Sequence, residues 1–260
     1  MKRELIDVNV NLGRWPTRHV HGDEPRELIR ILKSHDVTEA WTGSLDGLFH
    51  KDMASVNDRL AESCHEYGRR ILQPIGSINP MLPGWEDDLR RCVEDHHMQG
   101  IRLHPNYHDY ALAAPEFSHL LRMASEANLF VQIAVTMEDE RMMHPRFRVP
   151  HVDTSSLADL LSDIPPVKII LLNAFRAVRG EVLVRLLENN EVLFDIAWIE
   201  GIAGIRRMLQ TVPVERLLFG SHAPLFYYES ALLKLEESAL SEDEWSAIVF
   251  GNARQLPSTG

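Results

Sequence analysis

The chain has 260 residues, 45% of them hydrophobic, enough to bury the core of one α/β domain running over residues 1–260. A formal net charge of -11 argues against a nucleic-acid partner, because neutralising phosphates takes a basic face. The two cysteines, Cys64 and Cys92, lie in helix-patterned segments and supply neither a disulfide framework nor a cysteine zinc site; without a signal-like apolar stretch or a run of roughly 18 apolar residues, a cytoplasmic protein with no membrane partner is expected.

Short apolar runs alternate with amphipathic stretches along the whole chain, the signature of repeated strand–helix units. The first predicted strand, residues 5–12, contains IDVNVNLG, where Asp7, Asn9 and Asn11 alternate with Val8, Val10 and Leu12. The following loop carries Arg14, Trp15, Arg18, His19 and His21 ahead of a helix over residues 24–34. A guanidinium fork beside an indole suits an organic acid with a flat or ring portion, so Arg14 and Trp15 are expected to bind substrate. Strands over 39–44 and 72–78 alternate with helices over 53–69 and 84–96, and His96 and His97 place positive charge near the latter's C-terminus.

In the strand at 100–104, Arg102 and His104 are two apart and share a face. An inward Arg102 needs a carboxylate, from Asp7, Asp195 or a substrate acid. A helix over 115–127 and a strand over 129–135 lead to a long connection, residues 136–153. Its length predicts a lid over the mouth of the site, with Met142, Met143 and Phe147 as its apolar underside. Helices over 155–162, 180–189 and 202–210 alternate with strands over 168–173, 192–197 and 216–221; the last strand runs into His222, and Ser241 with Glu244 signals a capped closing helix that covers the barrel. Eight units of this size and order predict a closed (β/α)8 TIM barrel, with strands one and eight adjacent and the working residues at the strand C-terminal ends.

These strand-end residues resemble the amidohydrolase superfamily, in particular its branch of amidohydrolase-related decarboxylases, lactonases and hydratases. IDVNVNLG is similar to Asp-x-His-x-His-x-Gly, LFGSHAP to Gly-Ser-Asp-x-Pro, and GIRLHP and FGNARQL also match, so the resemblance covers nearly the whole chain. It implies a TIM barrel of the metal-dependent-hydrolase kind. Against that pattern, Asn9 and Asn11 stand for the two strand-one histidines, Ala134 and Asn173 for those of strands five and six, and His222 for the strand-eight aspartate. Neutral amides bind zinc poorly, so no metal and no other cofactor is expected. A displaced metal site built from His19, His21 and His144 or His151 is the weaker reading, since loop histidines lack fixed geometry.

The leading expectation is a hydrolase-like enzyme acting on a small carboxylated lactone, ester or amide, with decarboxylation as a near relative. His222 would activate water, Asn9, Asn11 and Asn173 would hold the polarised carbonyl, and Arg14 or Arg102 would fix a carboxylate. His104 either contacts substrate or shapes its turn. The rival expectation is a non-catalytic barrel that binds a small molecule or a partner protein. A homo-oligomer is compatible with either.

Overall fold

The computed structural model describes residues 4–189 and 191–256. The strands are β1 (Ile6–Leu12), β2 (Glu39–Ser44), β3 (Leu72–Pro74), β4 (Gly76–Ser77), β5 (Gly100–Leu103), β6 (Phe130–Ala134), β7 (Ile169–Leu172), β8 (Val192–Asp195) and β9 (Leu217–Leu218). The helices between and after them are α1 (Pro25–Ser34), α2 (Met53–Gly68), α3 (Trp85–Glu94), α4 (Pro115–Glu126), α5 (Leu157–Ser162), α6 (Gly180–Glu188), α7 (Gly204–Met208), α8 (Tyr228–Glu237), α9 (Glu242–Ser246) and α10 (Asn252–Arg254). Their starts follow local chemistry. Pro25 and Pro115 open α1 and α4, and Glu86, Asp87 and Asp88 oppose the dipole of α3. The longer helices bury an apolar stripe, such as Phe117, Leu120, Leu121 and Ala124 of α4.

All strand pairs are parallel, and β3 and β4 are two parts of the third barrel strand on either side of Ile75. The Ile75 N–H keeps that strand tied to β2 through Thr42 O at 2.9 Å. The ring closes where Val8 N–H donates to Phe219 O at 2.9 Å and Asn11 N–H to Ala223 O at 2.8 Å. First and last strands are therefore neighbours, as expected of a TIM barrel. The last strand is shorter than the sequence suggests, because only Leu217 and Leu218 pair with β8 before the chain turns to the mouth.

Three apolar layers follow. An outer layer between strands and helices includes Val10, Leu12, Ile101 and Leu103, and an inner layer includes Ile6, Val8, Trp41, Phe130, Ile170 and Leu172. Ala253 and Leu256 of the closing segment join the inner layer, after a capping box in which Ser241 and Glu244 exchange both bonds. A third cluster of Trp15, Val20, Leu45, Leu48, Ala134, Met137 and Leu225 lies over the mouth.

A register shift in β1 between Asp7 and Val10 changes which face its side chains take. Ile6 and Val8 pack in the inner layer, whereas Val10 and Leu12 pack in the outer one. Strict alternation would have put all four on one face; a bulge adds one residue and reverses the alternation beyond it. Among the described residues, no helix is long and apolar enough to cross a membrane.

Candidate functional site

At the strand ends, Asn9, Asn173, Asp195 and His222 form one buried network. The Asn9 amide donates to Asn173 Oδ1 at 2.9 Å and to Asp195 Oδ2 at 2.7 Å. Asp195 Oδ1 accepts the backbone N–H of Asn173 at 2.7 Å, and the Asn173 amide donates to Thr136 O at 2.7 Å and lies 3.3 Å from His222 Nδ1. His222 Nε2 lies 2.8 Å from Met137 O, and a carbonyl only accepts, so Nε2 carries the proton and Nδ1 accepts from Asn173. Asp7 supports the same rim by accepting the backbone N–H groups of Asn9 and Ser221, both at 3.0 Å. Asn173 and His222 hold left-handed backbone, φ 57° and 60°, a conformation costing about 1–3 kcal/mol that the surrounding bonds must sustain.

Burial sets the protonation states. It lowers His222 to about 4, an imidazole neutral at pH 7 and a weak base, and raises the Asp7 and Asp195 carboxyls to about 6. His222 is wholly buried, and each ring nitrogen has a partner in the chain.

Arg102 departs from expectation in its partners. Its guanidinium is 1% exposed and meets only neutral oxygens: Gln132 Oε1 at 2.7 Å, Asn11 Oδ1 at 2.7 Å, and the carbonyls of Val10, Val8 and Trp41 at 2.8, 3.3 and 3.2 Å. Neither Asp7 nor Asp195 pairs with it directly, although both favour its charge from a distance, and burial lowers it to about 9. Its five N–H donors are matched by these five acceptors, so the expected grip on a substrate carboxylate is not available to it. The carbonyls of Val8 and Val10 flank the β1 bulge, and Gln132 Nε2 adds a bond to Val8 O at 2.8 Å. Gly43 is required beside it: a Cβ there would lie 2.7 Å from Arg102 Nη1.

The long connection does lie over the mouth, through a different set of residues. The peptide carbonyls of Thr136 and Met137 cap Asn173 and His222, Glu138 pairs with Arg18 of the first loop at 3.0 Å, and Asp139 pairs with Arg176 at 2.6 Å. Met137 and Met143 face inward at 4% and 8% exposure, but Met142 and Phe147 are 61% and 63% exposed and form no underside. Tethered by Glu138 and Asp139, the strand-proximal turn covers Asn173 and His222, which leaves the tip of the loop in solvent.

The first loop also splits. Trp15 is buried in the mouth cluster, 6.5 Å centroid to centroid from Tyr107 at 79°, while Arg14 points to solvent and pairs with Glu24. Arg14 and Trp15 therefore do not form the expected fork and ring. His19 and His21 pair with Asp23 and Glu27, and His96 pairs with Asp58 of α2 rather than serving only the end of α3. Among the described residues, no group of three or more His, Cys, Asp or Glu side chains is arranged to hold a metal ion.

Not every buried polar group near the mouth is satisfied within the chain. His104, 1% exposed, has no partner for either ring nitrogen, and neither does Asn11 Nδ2 or Trp15 Nε1. The His104 ring packs edge-on against His108 at 6.0 Å, and His108 Nε2 donates to Gly47 O at 2.8 Å, which ties the loops after β5 and β2 together. Burial, His108 and the Arg102 charge hold His104 well below the ordinary histidine range. Sequence reasoning brought forward Asn9, Asn11, Asn173, His104 and His222, all of which lie at this rim. It named Asp195 only as a partner for Arg102 and not as a member of this network, and it missed the Thr136 and Met137 carbonyls, for which no side-chain signal exists.

The family model described as Amidohydrolase matches residues 42–256, so the chain belongs to the amidohydrolase family. Its barrel superimposes on a 5-carboxyvanillate decarboxylase from Sphingomonas paucimobilis with a TM-score of 0.74 at 13% identity, covering 97% of this chain and 98% of that one. A dihydroxybenzoic acid decarboxylase from a Polaromonas species, solved with manganese and the inhibitor 2-nitroresorcinol, gives 0.72 at 12% identity over 97% and 96%. A candidate 2-pyrone-4,6-dicarboxylic acid hydrolase from Acinetobacter baumannii with citric acid bound gives 0.69 at 15% identity over 98% and 99%. Likeness at this identity establishes the TIM-barrel fold. No curated protein matches the chain.

Proposed function

We propose that this amidohydrolase-family barrel binds a small carboxylate-bearing organic molecule at its mouth without a divalent metal, and that binding rather than metal-dependent hydrolysis is its activity. The observation that carries this reading is that three buried groups at the strand ends and the loop above them, Asn11 Nδ2, Trp15 Nε1 and the His104 ring, have no partner in the chain. Buried polar atoms are matched in folded proteins by water or by a ligand. An amide NH2, an indole N–H and the one N–H of a neutral imidazole are all donors, and the Arg102 charge acts on His104 and is bonded to Asn11 Oδ1. Such groups suit an anionic oxygen and repel a cation.

The residues at the family's metal positions do not fit a divalent ion. Asn9 and Asn173 are spent as donors, Asn11 Oδ1 is held by Arg102, Ala134 has no donor atom, and His222 points its N–H at Met137 O. A metal needs bare lone pairs from three or four ligands, and a guanidinium beside them opposes its charge. The relatives' decarboxylase and hydrolase names point to aromatic or cyclic acids as the compounds to try first.

A second reading is metal-independent hydrolysis of a small carboxylated lactone, ester or amide, and His104 is the observation in its favour. Its imidazole is neutral and has no partner in the chain, whereas the ring nitrogens of His222 are both engaged. Calorimetric titration with a panel of aryl mono- and dicarboxylates and lactone acids, with and without manganese or zinc, tests both readings. The binding reading expects saturable, metal-independent heat that a His104→Leu variant loses, with no product by NMR. Binding that requires added metal overturns it, and product formed without metal but lost in His104→Leu establishes the second reading instead.

A further inference from the structure

A second cleft opens beside the mouth, between the loop that follows β8 and helix α8, with Met142 of the long connection at its edge. Its volume is about 600 Å³, within the range of roughly 300–1,000 Å³ that small-molecule sites occupy. The walls are largely apolar. Trp198 and Phe226 stack at 5.5 Å and 29° to form one side, and Leu233 and Ile202, 58% and 80% exposed, line the rim. Large apolar side chains gathered at a concave place, rather than scattered singly, mark a surface that something apolar covers.

The cleft also holds one half-buried cation, Lys234. An ammonium has three N–H donors, and one of them goes to Ala197 O. Burial holds this lysine below its ordinary range, against the pull of Asp195, Glu200 and Glu237. A charge that has been partly desolvated against apolar walls gains more from an incoming anion than a lysine in open water does. The carboxylates nearby are of three kinds. Asp195 is buried and already accepts the Asn9 amide and the Asn173 backbone N–H. Asp139 is neutralised by Arg176 and Arg141, both at 2.6 Å, and Glu200 and Glu237 are exposed at the rim, where solvent and salt screen them.

We propose that this cleft is a binding site for an apolar molecule carrying a single carboxylate, with the carboxylate at Lys234 and the apolar body along Trp198 and Phe226. Screening weakens the two rim glutamates without removing their charge, so they add a modest preference for a monoanion over a dianion of the same shape. The site is separate from the barrel centre and uses none of Asn11, Trp15 and His104.

The test is calorimetric titration of the intact chain with 2-naphthoate, with uncharged 2-naphthylmethanol and with 2,6-naphthalenedicarboxylate. Expected is saturable binding of 2-naphthoate, weakened at least tenfold by Lys234→Met, with the alcohol bound equally by both proteins and the dianion more weakly than the monoanion. Because Lys234→Met also removes the bond to Ala197 O, Glu237→Gln provides a second variant: it should leave 2-naphthoate binding intact and strengthen the dianion. Equal 2-naphthoate affinity in wild type and Lys234→Met overturns the proposal, as does the absence of binding. So does 2-naphthoate binding that survives Lys234→Met but is lost in His104→Leu, which would assign the ligand to the barrel mouth.

Discussion

Removing one charge should unlatch the mouth. Glu138 is 5% exposed, and its carboxylate takes the Arg18 Nε–H at 3.0 Å, joining the connection after β6 to the loop after β1. Glu138→Ala removes the carboxylate and with it the whole bond. A hydrogen bond to a charged group contributes about 1.5–3 kcal/mol; with the Arg18 side chain 35% exposed, the lower part of that range applies, about 1.5–2 kcal/mol. At about 1.4 kcal/mol per decade, the opening constant of the turn should rise roughly 10- to 30-fold. Native-state hydrogen exchange followed by mass spectrometry reads this directly. Peptides over residues 136–143 should lose about that factor of protection, whereas β7 and β8 should not change. Arg18→Ala should reproduce the effect, and the double variant should add little to either single one. Unchanged protection over 136–143, or a uniform loss around the whole barrel, would refute the latch.

Other consequences can be measured separately. Gly43→Ala forces a Cβ to within 2.7 Å of a guanidinium fixed by five bonds and should cost about 1–3 kcal/mol in urea unfolding; a change under about 0.5 kcal/mol would mean that Arg102 is not so fixed. His222 titrates near 4 in the folded chain and near the ordinary 6.5 when unfolded, so the unfolded state takes up the proton first as pH falls. Its stabilising contribution is full above about pH 6.5 and is lost on the way down to about 4, amounting to about 3 kcal/mol in all. The stability gap between wild type and His222→Gln should therefore narrow by about 2 kcal/mol from pH 7 to pH 5, and parallel profiles would contradict the assignment. Untagged protein equilibrated with manganese or zinc and then desalted should retain well under one ion per chain by elemental analysis; a stoichiometric ion that His222→Ala removes would show a rebuilt metal centre.

By itself, the sequence determined the repeating strand–helix order, the barrel it closes into and the strand ends that carry polar residues. These are readable because periodicity, helix starts and motif spacing are local properties. Asn9, Asn11, Asn173 and His222 could be placed at one rim for the same reason, since each ends or follows a recognisable strand. What those residues do to one another was decided only by the tertiary structure. A bulge in β1 leaves no residue-type signature, yet it turns Ile6 and Val8 inward and Val10 outward. Arg102 called for a carboxylate on charge grounds, but backbone carbonyls freed beside that bulge meet it instead. The Met137 carbonyl that seals His222 belongs to the backbone, as it would at any residue, so no letter of the sequence announces it. Met142 and Phe147 read as the underside of a lid because they are apolar, but the anchors at Glu138 and Asp139 fix which part of the loop reaches the barrel. Side-chain type is written in the chain one residue at a time, whereas backbone acceptors, register and exposure are set where distant segments meet.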